Sequence, residues 1–160
     1  MAEIPLTDNE REYPNEYTEV ERPLLVQLGA MGWQYVRGDL DDPQKTFRER
    51  FRDVVLRDKL REAIRRINLD ENGNEYLDDV TIDRAIREFL TTTEFSTFDR
   101  NRELTEKLIR GVSVDPAEGT PEAGQRKLPI KLIEFDPEHL DRNEFLAINQ
   151  FRVDFVGRTG

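Results

Sequence analysis

At 160 residues and 18.8 kDa the chain has the length of one domain; 36% hydrophobic residues allow one modest core, and an equal share of charged residues predicts a heavily solvated surface. No run approaches the ~20 apolar residues that cross a bilayer, and the polar, acidic stretch from Met1 to Asn15 does not read as a signal peptide, so a cytoplasmic protein is expected. Zero cysteines exclude disulfides, thiolate zinc sites and cysteine nucleophiles, the single His139 excludes an all-histidine metal site, and a net charge of −10 confines any contact with DNA to a local basic face.

Residues 1–15 carry no hydrophobic period and predict a flexible arm. From Thr18 to Met31, Val20, Leu24, Leu25, Leu28 and Met31 recur at helical spacing, which predicts a helix with those residues inward that ends near Gly29 and Gly32. Trp33 to Val36 reads as a short strand and Gly38 to Pro43 as a turn. The longest helix is predicted over Phe47 to Ile67, on the spacing of Phe47, Phe51, Val55, Leu56, Leu60, Ile64 and Ile67. Between Lys45 and Arg66 nine bases stand against four acids. That surplus fits a solvated helix face with pairs such as Asp53 with Arg57 and Asp58 with Arg61, or a face for DNA backbone or a docked subunit, with Arg48, Arg52, Arg57 and Lys59 as the candidate DNA-binding residues.

Asn68 to Asn74 has turn chemistry, Thr81 is placed to cap a helix running to Leu90 with Ile82, Ala85, Ile86, Phe89 and Leu90 inward, and another helix is expected from Asn101 to Arg110, stopped by Gly111. Val112 to Lys127 reads as a hairpin tip or a flexible loop and not as a domain boundary, because apolar strands flank it. Leu128 to Phe135 and Phe145 to Phe155 are β-branched and aromatic, so two more strands are expected, separated by the turn from Asp136 to Asn143. The class is therefore mixed α/β, with helices preceding the strands of a sheet that stops soon after its last strand.

Few residues suggest chemistry by themselves. Asn68 to Asp79 has the register of a twelve-residue calcium loop, but it begins on Asn68, carries Glu75 where an apolar residue normally packs, and ends on Asp79, so a polar turn is the simpler reading. Thr18 and Glu21 match a capping box, although Pro23 then falls inside the helix where its missing N–H would bend the first turn; Glu21 is read either as a helix-start residue or as a carboxylate aimed at a metal. Asp41 with Asp42 and Asp78 with Asp79 diverge as sequence neighbours and read as solvated loop. There is no nucleophile elbow and no glycine-rich phosphate loop.

Three groups of residues, in this order, resemble one family. They are Tyr17-Thr18-Glu19-Val20-Glu21-Arg22-Pro23-Leu24-Leu25 with Leu28, Gly32-Trp33 and Gly38-Asp39; then Pro43, Phe51, Val54 to Leu56, Leu60 and Ile67-Asn68; and last Asn101, Leu108, Gly111-Val112 and the run Asn143 to Asp154. The chain from about residue 16 onward is similar to the N-terminal region of type I restriction R subunits, and the run Asn143 to Asp154, with its Asn149-Gln150-Phe151 core, is the most specific part. The resemblance implies a nuclease domain of the PD-(D/E)xK class over residues 16–160, truncated before its catalytic hairpin, with an incomplete restriction-endonuclease-like sheet. It puts the principal Asp and the Glu-x-Lys pair beyond Gly160; Asp154 stands too early and lacks the preceding Pro. It also implies a supporting carboxylate on the first helix, by position Glu21, with Glu19 and Glu16 as alternatives.

The implied parent is an ATP-dependent motor subunit that hydrolyses DNA phosphodiesters with Mg2+, alongside methylation and specificity subunits. The chain alone is expected to be inactive, with neither Mg2+ nor ATP bound. The alternative is a stand-alone acidic protein-binding module without catalysis, although its 34 acids and 24 bases are too interleaved for a good mimic of DNA.

Overall fold

The computed structural model describes residues 15–120, 124 and 127–154, so the predicted arm lies outside the described residues except for Asn15. The chain separates into two compact units: a terminal unit, made of the segments up to Val54 and from Glu144 onward, and an inserted unit, Val55–Asn143. Helices and strands are mixed, as expected for an α/β chain, but the strands among the described residues fall into two separate two-stranded sheets.

In the terminal unit the first helix starts one turn earlier than its sequence pattern suggests. Asn15 and Thr18 form a reciprocal box, each main-chain N–H donating to the other's side-chain oxygen at 3.0 Å, so the box expected between Thr18 and Glu21 does not form. A wide π-helical turn, Tyr17–Glu21, then leads into α1, Arg22–Ala30, and the Arg22 N–H reaches back five residues to the Tyr17 carbonyl. This widened turn lies just before Pro23. A proline has no N–H to give and its ring needs room behind it, and a π-bulge supplies that room without ending the helix. Leu25 is buried and Leu28 packs beside it, but Val20, Leu24 and Met31 are exposed, so two of the five residues predicted inward are used.

Gly32 takes a left-handed φ of 91° after α1, and β1, Gln34–Arg37, follows. It pairs in parallel with β4, Leu146–Asn149, in the register Gln34 to Leu146 through Arg37 to Asn149. Trp33 and Phe145 stack at the entrance of that pair, with ring centroids 5.3 Å apart. Gly38 closes the other end, where a side chain would collide with the Asn149 carbonyl oxygen.

The predicted helix over Phe47 to Ile67 is corrected in its first half. A 3-10 turn, Pro43–Thr46, capped by the Asp42 carboxylate on the Gln44 N–H at 3.0 Å, ends on Phe47 with φ 58°, a left-handed backbone that an α-helix cannot continue. Of the apolar residues that mimicked a helical period here, Phe51 instead sets its ring against the Arg48 guanidinium, and the helix proper, α2, spans Arg57–Ile67. The local ion pairs differ accordingly: Asp53 pairs with Arg50, and Arg61 crosses to the following helix.

The inserted unit follows its sequence pattern more closely. After α2, Asp70 holds a tight turn by accepting from the N–H groups of Asn72 at 2.9 Å and Asn74 at 2.8 Å. α3, Asp79–Leu90, is capped by Asp78, which accepts from the Thr81 N–H at 2.7 Å; Thr81 itself is buried and accepts from the Ala117 N–H. α4, Thr97–Arg110, starts four residues before the expected Asn101, because Ser96 caps it on the Asp99 N–H. Gly111 ends it at φ 76°, and a side chain there would strike the Ile130 carbonyl oxygen. The chain then forms the expected hairpin, β2, Val112–Val114, antiparallel to β3, Leu128–Ile130. The two long C-terminal strands of the sequence reading are shorter: β3 and β4 have three and four residues, and Phe151 to Asp154 is not strand.

The apolar residues gather in two clusters. Ile64 on α2, Ile82, Ala85, Ile86 and Phe89 on α3, and the hairpin's Val112, Val114 and Ile130, with Leu132, form the inserted unit's core. Each of the Ile, Leu, Val and Phe side chains contributes on the order of 1.5–3 kcal/mol when fully buried. Leu25 and Ala147 are the buried pair of the terminal unit, flanked by Tyr17, Leu28, Trp33 and Tyr35.

Candidate functional site

Glu21 ends the π-helical turn and makes no side-chain cap on α1. Its carboxylate instead accepts at Oε2 from the Asn149 side-chain amide at 3.1 Å, across 128 residues of sequence. Asn149 is the last residue of β4, and its Oδ1 accepts from the Tyr35 hydroxyl at 3.1 Å and from the Gly38 N–H at 3.3 Å. The amide is thus oriented from both sides, with two donors on its oxygen and a carboxylate on its nitrogen. Burial, reinforced by the neighbouring Tyr17 phenol, pushes the Tyr35 hydroxyl up to about 12, so it remains a proton donor at any neutral pH. Beside Gly38, Arg37 forks onto Asp39, with one of its two bonds at 2.7 Å, and this hydrogen bonding holds the Asp39 carboxyl below its ordinary range.

Of the three glutamates considered for a metal-facing role, Glu16 and Glu19 are exposed, and Glu21 is the half-buried one tied to the sheet. Among the described residues no three acidic or histidine side chains come together to hold a metal ion. Glu21 offers one further oxygen, Oε1, and cannot make a metal centre without carboxylates from elsewhere. The calcium-loop reading has no support: Asn68 is buried, and its amide pairs with both main-chain groups of Lys131 at 2.9 Å, as a strand neighbour would.

The four candidate DNA-binding residues are not brought onto one helix. Arg48 and Arg52 belong to the terminal unit, Arg57 and Lys59 to α2 of the inserted unit. Arg48 is 5% exposed; its guanidinium lies 3.7 Å from the Phe151 ring centroid and donates to Thr46 Oγ1 at 2.9 Å and to the Arg152 carbonyl at 2.8 Å. It is thus occupied inside the unit and presents no open face to a phosphate. Arg52 and Arg57 are exposed, while Lys59 pairs with Glu62 at 3.7 Å.

Sequence reading missed the roles of Tyr35 and Asn149. Asn149 stood within the most specific run, but nothing local linked it to a glutamate 128 positions away.

The family model described as the type I restriction enzyme R protein N terminus matches residues 13–160. The chain belongs to this family. A protein of Methanocaldococcus jannaschii, named as a type I restriction enzyme MjaIXP endonuclease subunit, is 31% identical over 150 residues, which cover 91% of this chain and 13% of that protein. The chain therefore corresponds to a small part of the curated relative it matches. No solved structure matches it at a significant level. No helix among the described residues is long and apolar enough to cross a membrane.

Proposed function

We propose that this chain is the N-terminal part of the nuclease domain of a type I restriction R subunit, and that Glu21 is a supporting carboxylate of its DNA-cleaving centre. The observation that carries the second part is the Asn149–Glu21 hydrogen bond, which ties the first-helix glutamate to the end of β4, within the run most specific to the family. Asn149 holds one carboxylate oxygen and leaves Oε1 for other work. The principal aspartate and the Glu-x-Lys pair come from the chain that follows in the complete subunit.

In that reading the complete subunit uses Mg2+ to activate water and clamp the scissile phosphate. ATP drives its motor domains, and methylation and specificity subunits supply sequence recognition. In the same reading the 160-residue chain alone is inactive, because the principal aspartate and the Glu-x-Lys pair are supplied by the chain that follows.

The test is Glu21→Ala in the complete subunit, assembled with its partners. DNA nicking should fall by at least about tenfold, equivalent to ~1.4 kcal/mol on the barrier, and DNA-dependent ATP hydrolysis should continue unchanged. Cleavage at the wild-type rate would overturn the assignment of Glu21. The isolated chain should leave supercoiled plasmid intact in Mg2+; nicking by it would overturn the division of the centre between this segment and the chain that follows.

A further inference from the structure

The opposed faces of α2 and α3 carry charges at a four-residue step, Arg57, Arg61 and Arg65 on one helix and Asp79, Asp83 and Arg87 on the other. Side chains four apart share a helix face, so each set forms a stripe. Arg65 pairs with Asp79, and Arg61 pairs with Asp83 and reaches Asp79 at 3.9 Å, so the rising numbers of α2 meet the falling numbers of α3. Continued by one step, this ladder sets Arg57 opposite Arg87. At that rung a cation stands where the pattern calls for an acid.

Three observations make the rung a site. Arg57, Arg61 and Arg87 line one cleft of about 300 Å³, with Asp83, Ile86, Leu90 and Thr91. Asp83 is already engaged by Arg61, so the cleft's lone acid does not neutralise the other two guanidiniums. The carbonyl end of α3, which would otherwise attract Arg87, is served by Lys107, whose ammonium donates to the Glu88 carbonyl at 3.0 Å and to that of Thr91.

We propose that the Arg57–Arg87 rung is a phosphate-binding site and that it seats the sugar-phosphate backbone of nucleic acid. Paired guanidinium forks fit a tetrahedral oxyanion, and the apolar walls from Ile86 and Leu90 reduce the screening of that attraction. Only the choice of polymer rests on the reading of the chain as part of a DNA-acting subunit. The rest follows from the unbalanced ladder.

The test is equilibrium binding of a fluorescent 20-base-pair duplex of arbitrary sequence to the full 160-residue chain, without metal, over a series of salt concentrations. Arg87→Asp completes the ladder with an acid opposite Arg57, so the fold should melt no lower than the wild type. Its affinity for the duplex at low salt should nevertheless fall by about tenfold, and the slope of log affinity against log salt should become shallower by about 1. Arg57→Gln should cause a similar loss and decides the matter if Arg87→Asp does not fold. The proposal is overturned if both variants bind as the wild type does, if the wild type shows no salt-dependent binding, or if inorganic phosphate shifts the Arg57 and Arg87 NMR signals while the duplex does not. Cleavage plays no part in this measurement, so a failure of the Glu21 assignment would leave its result unchanged, and a failure here would leave nicking by the complete subunit unchanged.

Discussion

Among the described residues the inserted unit closes around nine buried apolar side chains, and the terminal unit around two. In place of the missing apolar area, the terminal unit holds its ends together with polar and aromatic contacts that span the sequence: Arg48 against Phe151 and the Arg152 carbonyl, Asn149 between Glu21 and Tyr35, Trp33 against Phe145. The difference teaches where each kind of force is used. Apolar burial is non-directional and makes a sturdy body, whereas hydrogen bonds and ring–cation contacts fix geometry, and the terminal unit is the one that carries the candidate carboxylate.

The contrast can be broken most sharply in the inserted core. Ile82→Ala removes a fully buried side chain and should cost about 2–5 kcal/mol, read as a lower midpoint in urea unfolding. A loss under 1 kcal/mol would show that this unit is not held by packing. Next in size is Arg48→Met, which keeps bulk between Phe51 and Phe151 but removes the donors to Thr46 and the Arg152 carbonyl. It should cost about 1.5–3 kcal/mol, with faster amide exchange at Asp154, whose N–H bonds the Phe51 carbonyl at 3.3 Å. An unchanged midpoint would mean that shape alone holds the terminal unit.

The smallest effect is one of pH. Glu134 is 2% exposed, and the Asp136 N–H at 3.0 Å, seconded by the Lys131 ammonium at 3.1 Å, holds its carboxyl below the ordinary range. A carboxyl depressed in the folded state adds stability above its unfolded value, about 4.3, and that contribution is lost as pH falls through the lower folded value. Glu134→Gln should therefore flatten the fall of the melting temperature as the pH drops below about 4.3. An equally steep fall would assign the acid sensitivity to other carboxylates.

What could be read from sequence follows the same division. The inward residues Ile82, Ala85, Ile86 and Phe89 were legible because a packed helix repeats its apolar residues every three or four positions, and the hairpin was legible from the turn-rich stretch between two apolar runs. The segment from Phe47 to Val55 imitated that period while folding around a buried arginine, and nothing in a hydrophobic pattern signals a charge turned inward. Val20, Leu24 and Met31 continued a stripe that packing uses only at Leu25 and Leu28. Glu21 could be singled out as a residue with two readings, but its bond to Asn149 depends on a strand pairing between distant segments that local pattern does not report.

The parallel pairing of β1 with β4 also orders events in time. As the chain emerges from the ribosome, Gln34–Arg37 appears early and its partner, Leu146–Asn149, only after the whole inserted unit has been made. The helices and hairpin of that unit depend on nearer neighbours and can form first, while the short β1 edge waits unpaired. Glu21 is held by Asn149 only once that last strand arrives, so the carboxylate is aimed at the end of synthesis of this region, after the body beside it in the sequence has already folded.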